Sequence, residues 1–159
     1  MAFFVVTLYL GCSPIFLYSA FEFSPWKAVK YEPEMPGINR EDVFFVSKNG
    51  SRLHGWYFKK ADATKTALLH HGNGGNVENC LKSAHALVTA GANVLLYDYE
   101  GFGLSEGRPS NSNICNDAEA AYQFLLERKQ TNPHQIVEVG FSMGTGLACR
   151  MADKHPCAG

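Results

Sequence analysis

The stretch Val139-Gly140-Phe141-Ser142-Met143-Gly144 constrains this chain more than any other. It fits Gly-x-Ser-x-Gly, a pattern that becomes a nucleophile elbow when a strand runs into it and a helix runs out. A serine raised on so sharp a turn takes a strained backbone conformation. The residues two before and two after it pass close to neighbouring backbone, so both must be very small. Gly140 and Gly144 meet that demand. Ile136–Val139 reads as the strand, and Met143–Lys154 as the helix. The bland alternatives are a glycine-rich turn with an idle serine, or one that holds phosphate at the helix N-terminus.

Upstream of the elbow the chain alternates. Asp42–Ser47 and Arg52–Phe58 read as strands joined by a hairpin turn at Lys48-Asn49-Gly50-Ser51, where Asn-Gly is the turn signal. Thr66–His70 and Asn93–Asp98 are short apolar runs, the mark of strands buried on both faces. Val77–Ala90 has helical spacing with Leu81, Ala84, His85 and Val88 on one face, and Gly91 stands where a C-terminal cap belongs. Ile114–Lys129 is a second amphipathic helix, with capping expected near Asn116–Glu119. From residue 66 onward the order is strand, helix, strand, helix, strand, helix. That order predicts an α/β fold: a mostly parallel sheet, helices on both faces, and an antiparallel hairpin at its N-terminal side.

The 159 residues suffice for one domain with a core but are few for a large α/β enzyme. A net charge of −1 and the lack of a basic run argue against a nucleic-acid partner. The 5 cysteines are scattered without a CxxC pair, which suggests neither a zinc site nor a disulfide framework, and most are expected to be buried. No stretch between a strand and a helix matches the dinucleotide fingerprint Gly-x-Gly-x-x-Gly, so no cofactor is expected.

Residues 1–21 carry no charge, and about 20 apolar residues are enough to cross a bilayer. Gly11 and Pro14 interrupt the run. A membrane-anchoring helix, a secretory signal lacking its basic region, a lipoprotein signal and a buried globular segment are all open. The lipoprotein signal would make Cys12 in Leu10-Gly11-Cys12-Ser13 the lipidated residue. The expected organisation is an anchor or signal over residues 1–22, an extended connector over 23–40 and the N-terminal part of an α/β domain from 41 to 159. The expected location is membrane-associated, or otherwise secreted or periplasmic.

Three separated motifs now stand in one order: His71-Gly72-Asn73-Gly74-Gly75-Asn76, Asp98-Tyr99-Glu100-Gly101-Phe102-Gly103-Leu104-Ser105-Glu106-Gly107, and Gly140-Phe141-Ser142-Met143-Gly144. With them the chain, from about residue 41 onward, resembles the α/β-hydrolase superfamily. It looks most like a membrane-associated or lipoprotein-like branch related to serine aminopeptidase-type hydrolases. The resemblance implies a serine hydrolase that cleaves ester, thioester or amide bonds through an acyl-enzyme on Ser142. Its oxyanion hole would use the backbone N–H groups of Met143 and Asn73. Rigid donors aimed at a developing oxyanion are worth about 3 kcal/mol each. The Asp98–Gly107 motif is expected to be structural. Glu100 stands where arginine is common, and Glu138 interrupts an otherwise apolar strand, so it should find a partner or lie near the sheet's end.

The family order is nucleophile, acid, histidine. After Ser142 only Asp153 and His155 are available, and both fall at the far end of the helix that starts at the elbow, more than about 12 Å away at 1.5 Å rise per residue. His54, His70, His71, His85 and His134 all precede the nucleophile. The sequence therefore predicts an N-terminal fragment of a hydrolase, truncated after the elbow helix and inactive by itself, since serine without a base is a poor nucleophile. The competing expectation is a non-catalytic α/β-hydrolase-like binding or scaffold protein.

Overall fold

A computed structural model of the chain describes residues 23–27 and 38–159. The anchor or signal at 1–22, Cys12 included, lies outside the described residues, as does most of the connector.

One sheet of five strands organises the domain. Strands β1 (Asn39–Val46) and β2 (Arg52–Lys59) form the expected antiparallel hairpin. Strands β3 (Thr66–His70), β4 (Asn93–Tyr97) and β5 (Ile136–Gly140) are parallel, and the spatial order is β1-β2-β4-β3-β5. All of β3 and most of β4 are buried, as apolar strands covered on both faces must be.

Alternation of side chains across the pleat divides the core in two. Leu68, Leu95, Tyr57 and Phe45 face helices α2 (Asn111–Glu127) and α3 (Met143–Lys154). Leu69, Leu96, Trp56 and Phe58 face α1 (Leu81–Thr89). The chain leaves β3 towards β4 over one face and returns from β4 to β5 over the other, crossing β3. Right-handed crossovers in opposite directions put α1 and α2 on opposite sides of the sheet. The reversal opens a crevice at the carboxyl ends of β3 and β5, where ligands of open α/β sheets bind.

Several boundaries differ from the sequence-based expectation. β1 begins at Asn39, three residues early, and Ser47 falls outside it. The helix expected from Val77 opens as a 3-10 turn over Val77–Cys80, capped by Asn76, and becomes α-helical only at Leu81. His85 is exposed, not on the apolar face. α2 begins at Asn111 because Ser110, not a residue near Asn116, caps it through its hydroxyl to the Asn113 N–H at 3.1 Å. Gly91 is the predicted cap: its φ of +97° lets its N–H reach Val88 and that of Ala92 reach Leu87, both pairings of a Schellman motif. All four described cysteines are free, but Cys149 is exposed and only Cys80 is fully buried, contrary to expectation.

At the far edge, β5 is not a bare strand. The Ala158 N–H bonds to the Ile136 carbonyl at 2.6 Å, and the Glu138 N–H to that of Gly159 at 2.9 Å.

Candidate active site

Ser142 sits at φ +55°, ψ −118°, a conformation non-glycine residues rarely take. It is exposed, at the point where β5 ends and α3 begins. Two backbone approaches force this turn. A Cβ on Gly144 would lie 2.1 Å from the His70 carbonyl oxygen, and one on Gly140 would lie 2.4 Å from the Gly144 carbonyl oxygen. The Phe141 N–H bonds to the His70 carbonyl at 3.0 Å, which fastens the elbow to the end of β3. Met143 is the first residue of α3, where helix geometry leaves the N–H without an intrahelical acceptor.

The loop after β3 stands beside the serine. A Cβ built on Gly72 would lie 3.2 Å from the Ser142 Cβ. Asn73 follows, so the two stretches expected to provide oxyanion donors meet at one end of the sheet. Asn73 is tied down through its side chain: its Oδ1 accepts the Ser24 N–H at 3.1 Å. Residues 24–25 run parallel to Gly74–Gly75, the Trp26 N–H bonds to the Gly75 carbonyl at 3.0 Å, and the Gly103 N–H bonds to the Trp26 carbonyl at 2.8 Å. The segment 23–27, expected only to connect, is a strap that laces the loop after β3 to the loop after β4. Phe23 is buried in the core beneath it.

Asp98 is structural. Its Oδ1 accepts the Val77 N–H at 2.8 Å, fixing the turn that follows the Asn73 loop. Gly103 must be glycine, because a Cβ there would lie 1.9 Å from Asp98 Oδ2. Two histidines flank this carboxylate, His71 Nε2 at 3.5 Å and His54 Nδ1 at 3.8 Å. Burial holds His71 below the ordinary histidine range, with the Asp98 charge opposing it. His71 Nδ1 donates to the Gly72 carbonyl at 2.7 Å, and Tyr99 OH donates to the His71 carbonyl at 2.8 Å. Burial also works to lower His54, but Asp98 and Asp42 outweigh it and raise it; its Nε2 is 2.9 Å from Asp42 Oδ1.

Glu100 and Glu138 both find partners. Glu100 is buried and accepts from the side-chain amides of Asn49 at 2.6 Å and Asn113 at 3.2 Å, so neutral amides stand where a salt bridge would otherwise be expected. Its own N–H donates to Asp117 at 2.8 Å. Burial, against the hydrogen bonds from Glu100 N–H and Ser47, pushes Asp117 up to about 7. Glu138 Oε2 lies 2.7 Å from His70 Nε2, while His70 Nδ1 is 2.8 Å from Tyr97 OH. One ring nitrogen of His70 faces the Glu138 carboxyl, and the other faces the Tyr97 phenol with its proton. Burial raises Tyr97 well above its usual range and keeps that proton in place.

None of these ring contacts involves Ser142. His155 lies past the far end of α3, bonded to Glu119 at 2.7 Å and stacked on Tyr122 at 4.5 Å. Asp153 is exposed near the same end. Neither joins the elbow, as helix length dictates. Among the described residues no group of His, Cys, Asp and Glu is arranged to hold a metal ion. The residues missed from sequence are the strap, Asp117 and Ser110. Phe23 and Trp26 amid prolines were the one available signal for the strap.

A sequence profile described as the alpha/beta hydrolase fold matches residues 66–157, more than half of the chain. The chain belongs to the alpha/beta hydrolase fold family. Among curated relatives, Rv2307c of Mycobacterium tuberculosis is 35% identical over 119 residues, 74% of this chain and 42% of the relative. YfhR of Salmonella typhi is 35% identical over 65% of this chain and 37% of its own length. The alpha/beta hydrolase domain-containing protein WAV2 of Arabidopsis thaliana is 30% identical over 79% and 46%. The chain thus spans less than half the length of these relatives. Among solved structures, the Pyrococcus furiosus esterase Pf2001 shares the fold with a TM-score of 0.70 at 24% identity, covering 80% of this chain and 50% of that one. An alpha-beta hydrolase from Vibrio vulnificus superposes with a TM-score of 0.67 at 25% identity, over 76% and 43%.

Proposed function

We propose that Ser142 is the nucleophile of a serine hydrolase that cleaves acyl bonds, with Met143 and Asn73 N–H groups receiving the oxyanion. The observation that carries this reading is the backbone of Ser142: φ +55° on an exposed strand-to-helix turn, held by Gly144 against the His70 carbonyl. A non-catalytic serine has no need of that strain. The chemistry is the same for an ester, a thioester or a peptide: serine oxygen attacks the carbonyl carbon, the C–O, C–S or C–N bond breaks and the alcohol, thiol or amine leaves with the serine proton, and water then hydrolyses the acyl-enzyme to a carboxylic acid and free serine. An esterase or thioesterase fits this site as well as a peptidase of the serine aminopeptidase type. The mechanism also requires a histidine and an acid beside the serine. We place the protein at a membrane through residues 1–22, by an apolar segment or a lipid on Cys12.

A fluorophosphonate probe tests the assignment. The 159-residue chain should stay unlabelled, and the same chain supplied with the remainder of a hydrolase domain should label at Ser142, with Ser142→Ala abolishing the signal. An extended domain that folds, carries a histidine beside Ser142 and still takes no probe would turn the reading towards a binding or scaffold role.

A further inference from the structure

Among the described residues the exposed large apolar side chains are few. Phe44 and Val46 lie on the edge strand β1. The other three, Trp26 at 62%, Leu104 at 52% and Phe141 at 61% exposure, belong to the strap, the loop after β4 and the elbow. Trp26 is on the strap, bonded to Gly75 on one side and Gly103 on the other. Leu104 follows Gly103. Phe141 precedes Ser142, and its ring lies 3.7 Å from where a Gly72 Cβ would be. β3, β4 and β5 are parallel, so all three side chains sit at the same, carboxyl edge of the sheet.

In the sequence an uncharged stretch precedes the strap. Residues 1–21 are uncharged, and Phe23, the first residue of the strap, follows two positions later. Two residues span at most about 7 Å. Tryptophan favours the boundary between lipid and water, where an apolar ring and a polar N–H are both accommodated. We propose that the rim of the candidate active site, Trp26, Leu104 and Phe141, lies on a lipid bilayer, so that the elbow opens towards the membrane surface instead of away from it. This rests on the reading of residues 1–22 as a membrane anchor. The strap is the mechanical link: its backbone bonds hold the rim within a few residues of the anchor, whichever form the anchor takes.

The chain has 2 tryptophans, and Trp56 is buried at 1% exposure, so Trp26 reports on the rim. The 159-residue chain is reconstituted into phosphatidylcholine vesicles brominated on the upper acyl chain, and its fluorescence is read against unbrominated vesicles. We expect Trp26 emission to shift to the blue and fall by roughly half or more, as for a ring at the interface, and Trp26→Phe to leave a residual emission that bromine does not quench. The double variant Trp26→Phe, Leu104→Trp should be quenched as well. Flotation with the vesicles while Trp26 stays unquenched and open to iodide would overturn the proposal and leave the anchor standing. Quenching at Trp26 but not at position 104 would also overturn it, since only the strap would then touch lipid. A chain that remains in the aqueous fraction would remove the anchor, and the proposal with it.

Discussion

The two turns that make the candidate site are held in opposite ways. The elbow at Gly140–Gly144 is set by repulsion at short range: two positions admit no Cβ, and the backbone has one route left. The loop at Gly72–Asn76 is set by attraction at long range: Asp98 and Tyr99, just past the next strand, hold its flanks at Val77 and His71, and a strap 49 residues upstream holds Asn73. The first kind of turn is robust until one atom is added. The second loses its shape by degrees, as each tether is cut.

Substitutions separate the two. Gly144→Ala should be the most damaging, costing at least about 3 kcal/mol, because the added methyl meets a central-strand carbonyl that has nowhere to go; urea unfolding measures it. Gly146, two residues on, is the control. Nothing lies within 4 Å of a Cβ there, so Gly146→Ala should stabilise by about 0.5–1 kcal/mol through helix propensity alone. If both alanines cost alike, sterics at the elbow are not what sets it. On the tethered side, Asp98→Ala should cost about 2–3 kcal/mol by stranding the Val77 N–H, with the loss read in the same unfolding experiment.

Asp117 ties the loop after β4 and gives a slope with pH. Its folded value, about 7, stands above the ordinary aspartate value of 3.8. The fold therefore holds the proton more tightly than the unfolded chain does. The contribution is complete below about pH 4 and is lost as pH rises towards 7, at up to about 1.4 kcal/mol per pH unit. Asp117→Asn, unfolded at several pH values, should lack this slope; an unchanged slope would assign it elsewhere. The smallest loss belongs to the strap: Ser24→Pro removes the N–H that Asn73 accepts and should cost about 1 kcal/mol, with faster hydrogen exchange at the Trp26 and Gly103 amides.

This contrast also explains which features the sequence makes legible. Gly140, Ser142 and Gly144 announce the elbow because steric exclusion acts on neighbours, and neighbours share a motif. The parallel strands are visible for a similar reason: burial on both faces turns Thr66–His70 and Asn93–Tyr97 into apolar runs. The strap is invisible because its partners are backbone groups, to which any residue can bond. Ser110 does not stand out in the sequence because polar caps such as serine and asparagine abound around it, and only packing of Ile114 and Ala118 selects the start of α2. Glu138 was expected to find a partner, and it meets His70 across β3 and β5. That contact depends on strand order, which single positions do not encode.

The strap also bears on the order of folding. Its bonds join residues 24–27 to residues 73–75 and 103–105, and contacts so far apart in sequence close slowly. During synthesis from the N-terminus, the strap has nothing to bind until the loop after β3 has left the ribosome, and its partners are complete only with the loop after β4. Until then the Asn73 loop lacks its outer tether, and Phe23 lacks its place in the core. The residues made first are among those that must settle last.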